Sequence, residues 1–197
     1  MQPAQTPFDQ RTPFNAEANA KDLIVISSEL EGYRFLAEVT PQTAVLLLNQ
    51  RWDGVTAIAQ YLATLASVRR LHLVTPSVEG GLQLGRVTLR FDNLPHYARS
   101  LSVWRSHLAP QAEILIYNGE VASTEAGQLL IDVLHHLTGA AIAARTTLPN
   151  ALVPNGTWEL DCATQALETR AVLSPALATP ISPVKLSRAT DPTVIHR

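Results

Sequence analysis

The stretch Asp22-Leu23-Ile24-Val25-Ile26-Ser27-Ser28 decides the fold. Its four central residues are continuously apolar and three of them are β-branched. A strand half-exposed to water would alternate, so this run reads as a strand covered on both faces, as parallel sheets require. Similar runs recur at Ala44 to Leu48, Leu71 to Thr75, Ile114 to Tyr117 and Ala140 to Ala144.

Between these strands the apolar spacing changes to that of helices. Asp53 is placed to cap a helix whose apolar positions Val55, Ile58, Ala59, Leu62 and Leu65 return every three to four residues. Asp92-Asn93-Leu94-Pro95 has the form of a helix start, with Leu94, Tyr97, Leu101, Trp104 and Leu108 on one stripe. Ser123 is expected to cap a third helix, with Ala126, Leu130, Val133, Leu134 and Leu137 facing inward and Gly139 stopping it. A weaker helical pattern spans Glu29 to Val39.

Strands alternating with helices of this length predict right-handed crossovers. The expected architecture is α/β, a mainly parallel sheet with helices on both faces. Leu82-Gln83-Leu84 and Val87-Thr88-Leu89 flank Gly85-Arg86, a glycine-first turn that predicts a small inserted hairpin. Thr157 to Asp161 reads as a final strand.

One core spanning 21–164 is expected, between an extended N-terminal tail (1–20) and a Pro/Ala-rich C-terminal tail (165–197). Pro175, Pro180, Pro183 and Pro192 lie among alanine, serine and threonine, a composition that builds no core of its own. The tails are therefore expected to dock on protein partners.

Composition narrows the function. A net charge of −2 with scattered basic residues offers no footprint for nucleic acid. The apolar fraction is 46%, yet its longest runs are too short to cross a bilayer. Residues 1–20 contain Pro3, Pro7 and Pro13 without a basic start or a continuous apolar stretch, so they do not read as a secretory signal; a cytoplasmic location and signal-independent export both stay open. The chain's one cysteine, Cys162, supplies neither an internal disulfide nor a cysteine-based zinc cluster.

Several local strings carry a resemblance. Leu71-His72-Leu73-Val74, Gly81-Leu82-Gln83-Leu84-Gly85, Ile114-Leu115-Ile116-Tyr117, Glu125-Ala126-Gly127-Gln128 and Gly156-Thr157-Trp158-Glu159-Leu160 resemble a bacterial domain of unknown function, the family numbered forty-three forty-seven. That domain is often found at the front of very large repeat-bearing surface or secreted proteins. The resemblance covers roughly Asp22 to Thr164, with Leu82-Gln83-Leu84-Gly85 its most specific piece. It implies a relation to caspase-like cysteine peptidases, whose third strand ends in a His-Gly pair and whose fourth ends beside a cysteine.

Here the third strand runs into Val74-Thr75-Pro76-Ser77, which puts Pro76 where the resemblance implies histidine and Ser77 where it implies glycine. The fourth runs into Tyr117-Asn118-Gly119-Glu120, which puts Gly119 at the cysteine position. Proline offers no general base and glycine no nucleophile, so thiol proteolysis at those positions is not expected.

The remaining candidates weigh toward structure. Ser77 with His72 or His96 would need a triad geometry that spacing does not show, and a loop serine with a strand histidine pointing into a helix layer is the preferred reading. His96 and His107, eleven apart on a helix, sit about 16 Å from each other along its axis. His135 and His136 are adjacent, so they should diverge by about 100° around a helix. Asn49 with Asp53-Gly54, and Glu79-Gly80-Gly81, match neither an EF-hand nor a P-loop. Asn155-Gly156-Thr157 carries no weight as a glycosylation signal. Trp104 and Trp158 are expected in the core and Trp52 at an interface.

The sequence therefore predicts no catalytic residue, cofactor or metal. Its candidate binding residues are Trp52, Asn118 and Glu120, the last two flanking Gly119. The expected function is a noncatalytic subunit of a larger assembly. The alternatives are a hydrolase using Ser77 or Glu120 at the same sheet edge, and an extracellular adhesin-like module.

Overall fold

The computed structural model describes residues 20–30, 43–117, 120–145, 160 and 162–165. Six strands form the main sheet: β1 (Asp22–Ser27), β2 (Ala44–Leu48), β3 (Val68–Val74), β7 (Leu108–Ile116), β8 (Ala141–Ala144) and β9 (Cys162–Ala163). Their spatial order is β2-β1-β3-β7-β8-β9. All neighbours run parallel except β9, which pairs antiparallel with β8. The final strand thus pairs at Cys162–Ala163, just beyond the expected Thr157 to Asp161, of which Leu160 alone is described.

Among the described residues, three helices connect these strands: α1 (Gly54–Leu62), α2 (Ala98–His107) and α3 (Glu125–Thr138). They join β2 to β3, β3 to β7 and β7 to β8, three steps in the same direction across the sheet. Right-handed crossovers advancing one way must lie on one side. Buried residues of all three helices accordingly share a core with Leu23, Val25, Leu46, Leu71, Leu73, Ile114, Ile116 and Ile142.

The opposite face carries Ile24, Ile26, Val45, Val74, Leu115, Tyr117 and Ala143, also buried, with Leu30 and Leu160 packed against it. Helices are thus described on one face; 31–42 and 146–159, which include most of the helix expected at Glu29 to Val39, lie outside the described residues. Burial on both faces explains the unbroken apolar runs. Each fully buried leucine or isoleucine contributes about 1.5–3 kcal/mol.

Helix ends follow side-chain chemistry. Asp53 caps α1, its Oδ1 accepting from the Thr56 N–H at 3.1 Å, and Gly139 ends α3 in the left-handed region at φ +72. The cap of α3 is Thr124, not Ser123: the Thr124 Oγ1 accepts from the Gly127 N–H, while the Ser123 hydroxyl donates back to the Glu120 carbonyl.

The inward stripe of α3 is also displaced, to Gly127, Leu130, Ile131, Leu134 and Thr138. Ala126 is exposed, and Leu129 and Leu137 are 48% and 36% exposed. The helix expected from Asp92 is two elements, a 3-10 helix over Phe91–Tyr97 followed by α2, and Leu108 begins β7 rather than extending the helical stripe.

The insert between β3 and α2 is a three-stranded antiparallel sheet of β4 (Ser77–Val78), β5 (Gly81–Leu84) and β6 (Val87–Leu89). The expected β5–β6 hairpin is present, with Gly85 at φ +62 in its turn. This turn is pressed onto the β2–α1 loop: the Arg86 N–H donates to the Trp52 carbonyl at 2.9 Å, and a Cβ on Gly85 would collide with that same carbonyl.

Candidate functional site

The connections leaving β1 and β3 diverge toward opposite edges of the sheet, which makes the carboxyl ends of these neighbours its switch point. Ser27 ends β1 and is buried, its Oγ accepting from the Glu29 N–H at 3.3 Å. β3 ends at Val74 and is followed by Thr75, 5% exposed, whose Oγ1 has no hydrogen-bond partner among the described residues.

Pro76 is half-buried and links β3 to the insert. Ser77 is not a loop residue: it opens β4 and pairs with Leu82, so its backbone belongs to the small sheet. Asn118 and Gly119 lie outside the described residues. Glu120 is half-buried, and its carbonyl accepts from both the N–H and the hydroxyl of Ser123. Trp52 is half-buried and packs against the main core, held through its carbonyl by Arg86. Trp104 is 1% exposed with its indole N–H donating to the Val55 carbonyl at 3.1 Å, while Trp158 lies outside the described residues.

Apart from the adjacent His135 and His136, the described histidines and the cysteine are dispersed. His72 sits inside β3, level with Ile24 and Leu115, on the face opposite the helices and not in a described helix layer. Its Nδ1 lies 3.1 Å from the Tyr117 hydroxyl, and the two rings stack with centroids 6.1 Å apart. Burial pushes the imidazole down to about 4 and the Tyr117 phenol well above its ordinary value. His72 is thus a neutral structural partner of a buried phenol, two residues short of the strand's end.

His96 is exposed on the 3-10 helix, and His107, His135 and His136 lie in the last turns of α2 and α3. Cys162 pairs with Ala144 and packs on the helix-side core. Three strand positions separate it from β3, about 14 Å.

A second polar constellation was not anticipated. Asp22, Arg70 and Glu113 occupy one cross-strand row over β1, β3 and β7. The Arg70 guanidinium bonds both oxygens of Asp22, by Nε at 2.8 Å and by Nη2 in a shorter contact. That pairing, chiefly the hydrogen bond to Asp22, raises the Arg70 pKa further. The sequence signal was present: Arg70 and His72 stand two apart in β3, and Glu113 directly precedes the apolar run of β7. A group of three or more side chains able to hold a metal does not occur among the described residues.

The family model described as Domain of unknown function (DUF4347) matches residues 23–182. The chain belongs to the DUF4347 family. No curated protein matches it. The DUF4347 match opens within β1 and takes in the whole sheet, the insert and all three helices. Leu82-Gln83-Leu84-Gly85, the string that carried the resemblance, is β5 and the first residue of the clamped turn. In this DUF4347 chain no helix of the described residues is long and apolar enough to cross a membrane.

Proposed function

We propose that this DUF4347 domain is a noncatalytic relative of caspase-like peptidases that serves as a protein-binding or structural subunit, its two tails docking on partners. The observation that carries this reading is the chemistry of the sheet edge. β3 and β7 are neighbours in register, Leu73 beside Ile116, and the Tyr117 N–H donates to the Leu73 carbonyl at 3.0 Å. The segments that follow the two strands therefore start side by side, where a caspase-like site would need an imidazole and a thiol. The residues that follow in sequence are Thr75, Pro76 and Ser77 after β3, and Asn118, Gly119 and Glu120 after Tyr117. Proline cannot take up a proton and glycine presents no nucleophile.

Engagement of the nearest alternatives elsewhere supports the same reading. His72 is paired with Tyr117 inside the sheet, and Ser77 is a strand residue of the insert. Trp52, Asn118 and Glu120 are the residues assigned to contact a partner.

The test has two arms. A serine-reactive fluorophosphonate and a thiol-directed peptidyl probe are applied to the full chain and to Ser77→Ala, and neither is expected to label the sheet edge. Stoichiometric labelling of Ser77, lost in the variant, would establish a hydrolase instead. Native mass measurement on gently lysed cells is expected to find the chain in a larger assembly that dissociates when residues 165–197 are removed. Free monomer with both tails cleaved rapidly by protease overturns the subunit role.

A further inference from the structure

We propose that His135 and His136 form an open binding site for one borderline divalent transition cation of the zinc or copper class, at the C-terminal end of α3. Neighbouring residues on a helix ordinarily diverge, so adjacency alone predicts no shared ligand for these two. Their ring centroids are nevertheless only 5.3 Å apart, at an interplanar angle of 76°. A tetrahedral ion about 2.0–2.1 Å from one nitrogen of each of two imidazoles holds the ring centres about 5 Å apart. The observed spacing, that of an edge-on ring contact, is within reach of one shared ion.

Hydrogen bonding sets the same chemistry. The Nδ1 of His135 lies 2.7 Å from the Ala140 carbonyl, and the Nδ1 of His136 lies 2.7 Å from the Asp132 carbonyl. A carbonyl oxygen only accepts, so each Nδ1 carries the proton and donates it. That tautomer leaves the lone pair of each ring on Nε2. An N–H fixed on a backbone carbonyl is the support that orients metal-binding histidines and raises their basicity. The negative end of the α3 dipole favours a cation at the same place.

The rings are half-buried and exposed respectively, so an ion reaches them without rearrangement of the core. The charged group that faces them from a neighbouring element is Arg105 of α2, whose Nη1 donates to the His136 carbonyl at 3.4 Å. Its charge weakens the site without occupying either Nε2. With two protein ligands, the remaining positions belong to water.

The experiment is calorimetric titration of the full, untagged chain with Zn2+, with Cu2+ electron paramagnetic resonance as a second readout. One ion per chain is expected, with two nitrogen ligands in the Cu2+ spectrum. His136→Gln, at an exposed position that leaves the core intact, is expected to weaken Zn2+ binding at least tenfold. His96→Gln and His196→Gln should leave it unchanged. Absence of 1:1 binding in the parent chain, or equal affinity in His136→Gln, overturns the assignment.

Discussion

A single imidazole in the middle of β3 sets an acid limit on this fold. His72 is 3% exposed and held at about 4 by burial, against an unfolded value near 6.5. Between those values the unfolded chain binds the extra proton and the folded chain does not. The stability due to neutral His72 is therefore complete above about pH 6.5 and is lost as the pH falls toward about 4, by up to about 3 kcal/mol. His72→Gln retains a polar partner for Tyr117 but does not titrate. Urea unfolding at pH 7 and pH 5 should show the parent losing about 2 kcal/mol more than the variant; equal losses would remove His72 as the cause.

Glycine is equally decisive where the 3-10 helix Val121–Ser123 meets α3. A Cβ on Gly127 would overlap the Val121 carbonyl oxygen, a backbone atom that cannot step aside. Gly127→Ala, although it replaces a poor helix former with the best one, is expected to destabilise by about 2–4 kcal/mol in a thermal or urea melt. A gain in stability would mean that the backbone approach is looser than described.

At the scale of elements, α3 offers a direct test of which face is buried. Leu130 is inaccessible while its neighbour Leu129 is 48% exposed. Leu130→Ala should cost about 2–5 kcal/mol and Leu129→Ala within about 0.5 kcal/mol. Urea midpoints at constant m-value check this pair, which the stripe read in the sequence places in the same way; the two registers part at Ile131, buried although that stripe left it out, and at Leu137, 36% exposed although that stripe turned it inward. That misreading has a physical cause. α3 carries apolar residues around most of its circumference, so two overlapping stripes fit the period, and packing on α2 and β8 selects between them. The parallel strands were legible because burial on both faces leaves unbroken β-branched runs. β4 is two residues long and carries no periodicity of its own. Leu108 was ambiguous because a leucine that continues a helical stripe also suits the first residue of a strand. The candidate site was legible only as composition: Pro76, Ser77 and Gly119 follow from the sequence. The pairing of His72 with Tyr117 spans 45 positions and that of Arg70 with Asp22 spans 48, separations that only the strand order closes.

Over the whole molecule, the question is whether the β4–β6 insert is a separate layer that opens alone or part of the same cooperative unit. A small antiparallel sheet on a parallel one would ordinarily be the weaker element, since two- and three-stranded pieces have little core of their own. Here Leu82, Leu84 and Leu89 are buried in the same cluster as the helix-side residues of the main sheet. Two glycine contacts fix the insert to α1 from outside that cluster: Gly85 against Trp52 and Asn49, and Gly54 against the Leu84 carbonyl. Opening the insert would expose three leucines and break the Asp53–Gly85 bridge together with the Arg86–Trp52 hydrogen bond. The exposed apolar area alone opposes it by several kcal/mol, each leucine contributing about 1.5–3. Native-state hydrogen exchange is therefore expected to give the ladder amides of β5 and β6 the same opening free energy as those of β3 and β7, within about 1 kcal/mol, as one cooperative unit requires. Gly85→Ala should uncouple the two sets, with β5 and β6 exchanging first. Early exchange of the insert in the parent chain would instead define it as an independent element, free to move at the sheet edge where β3 ends.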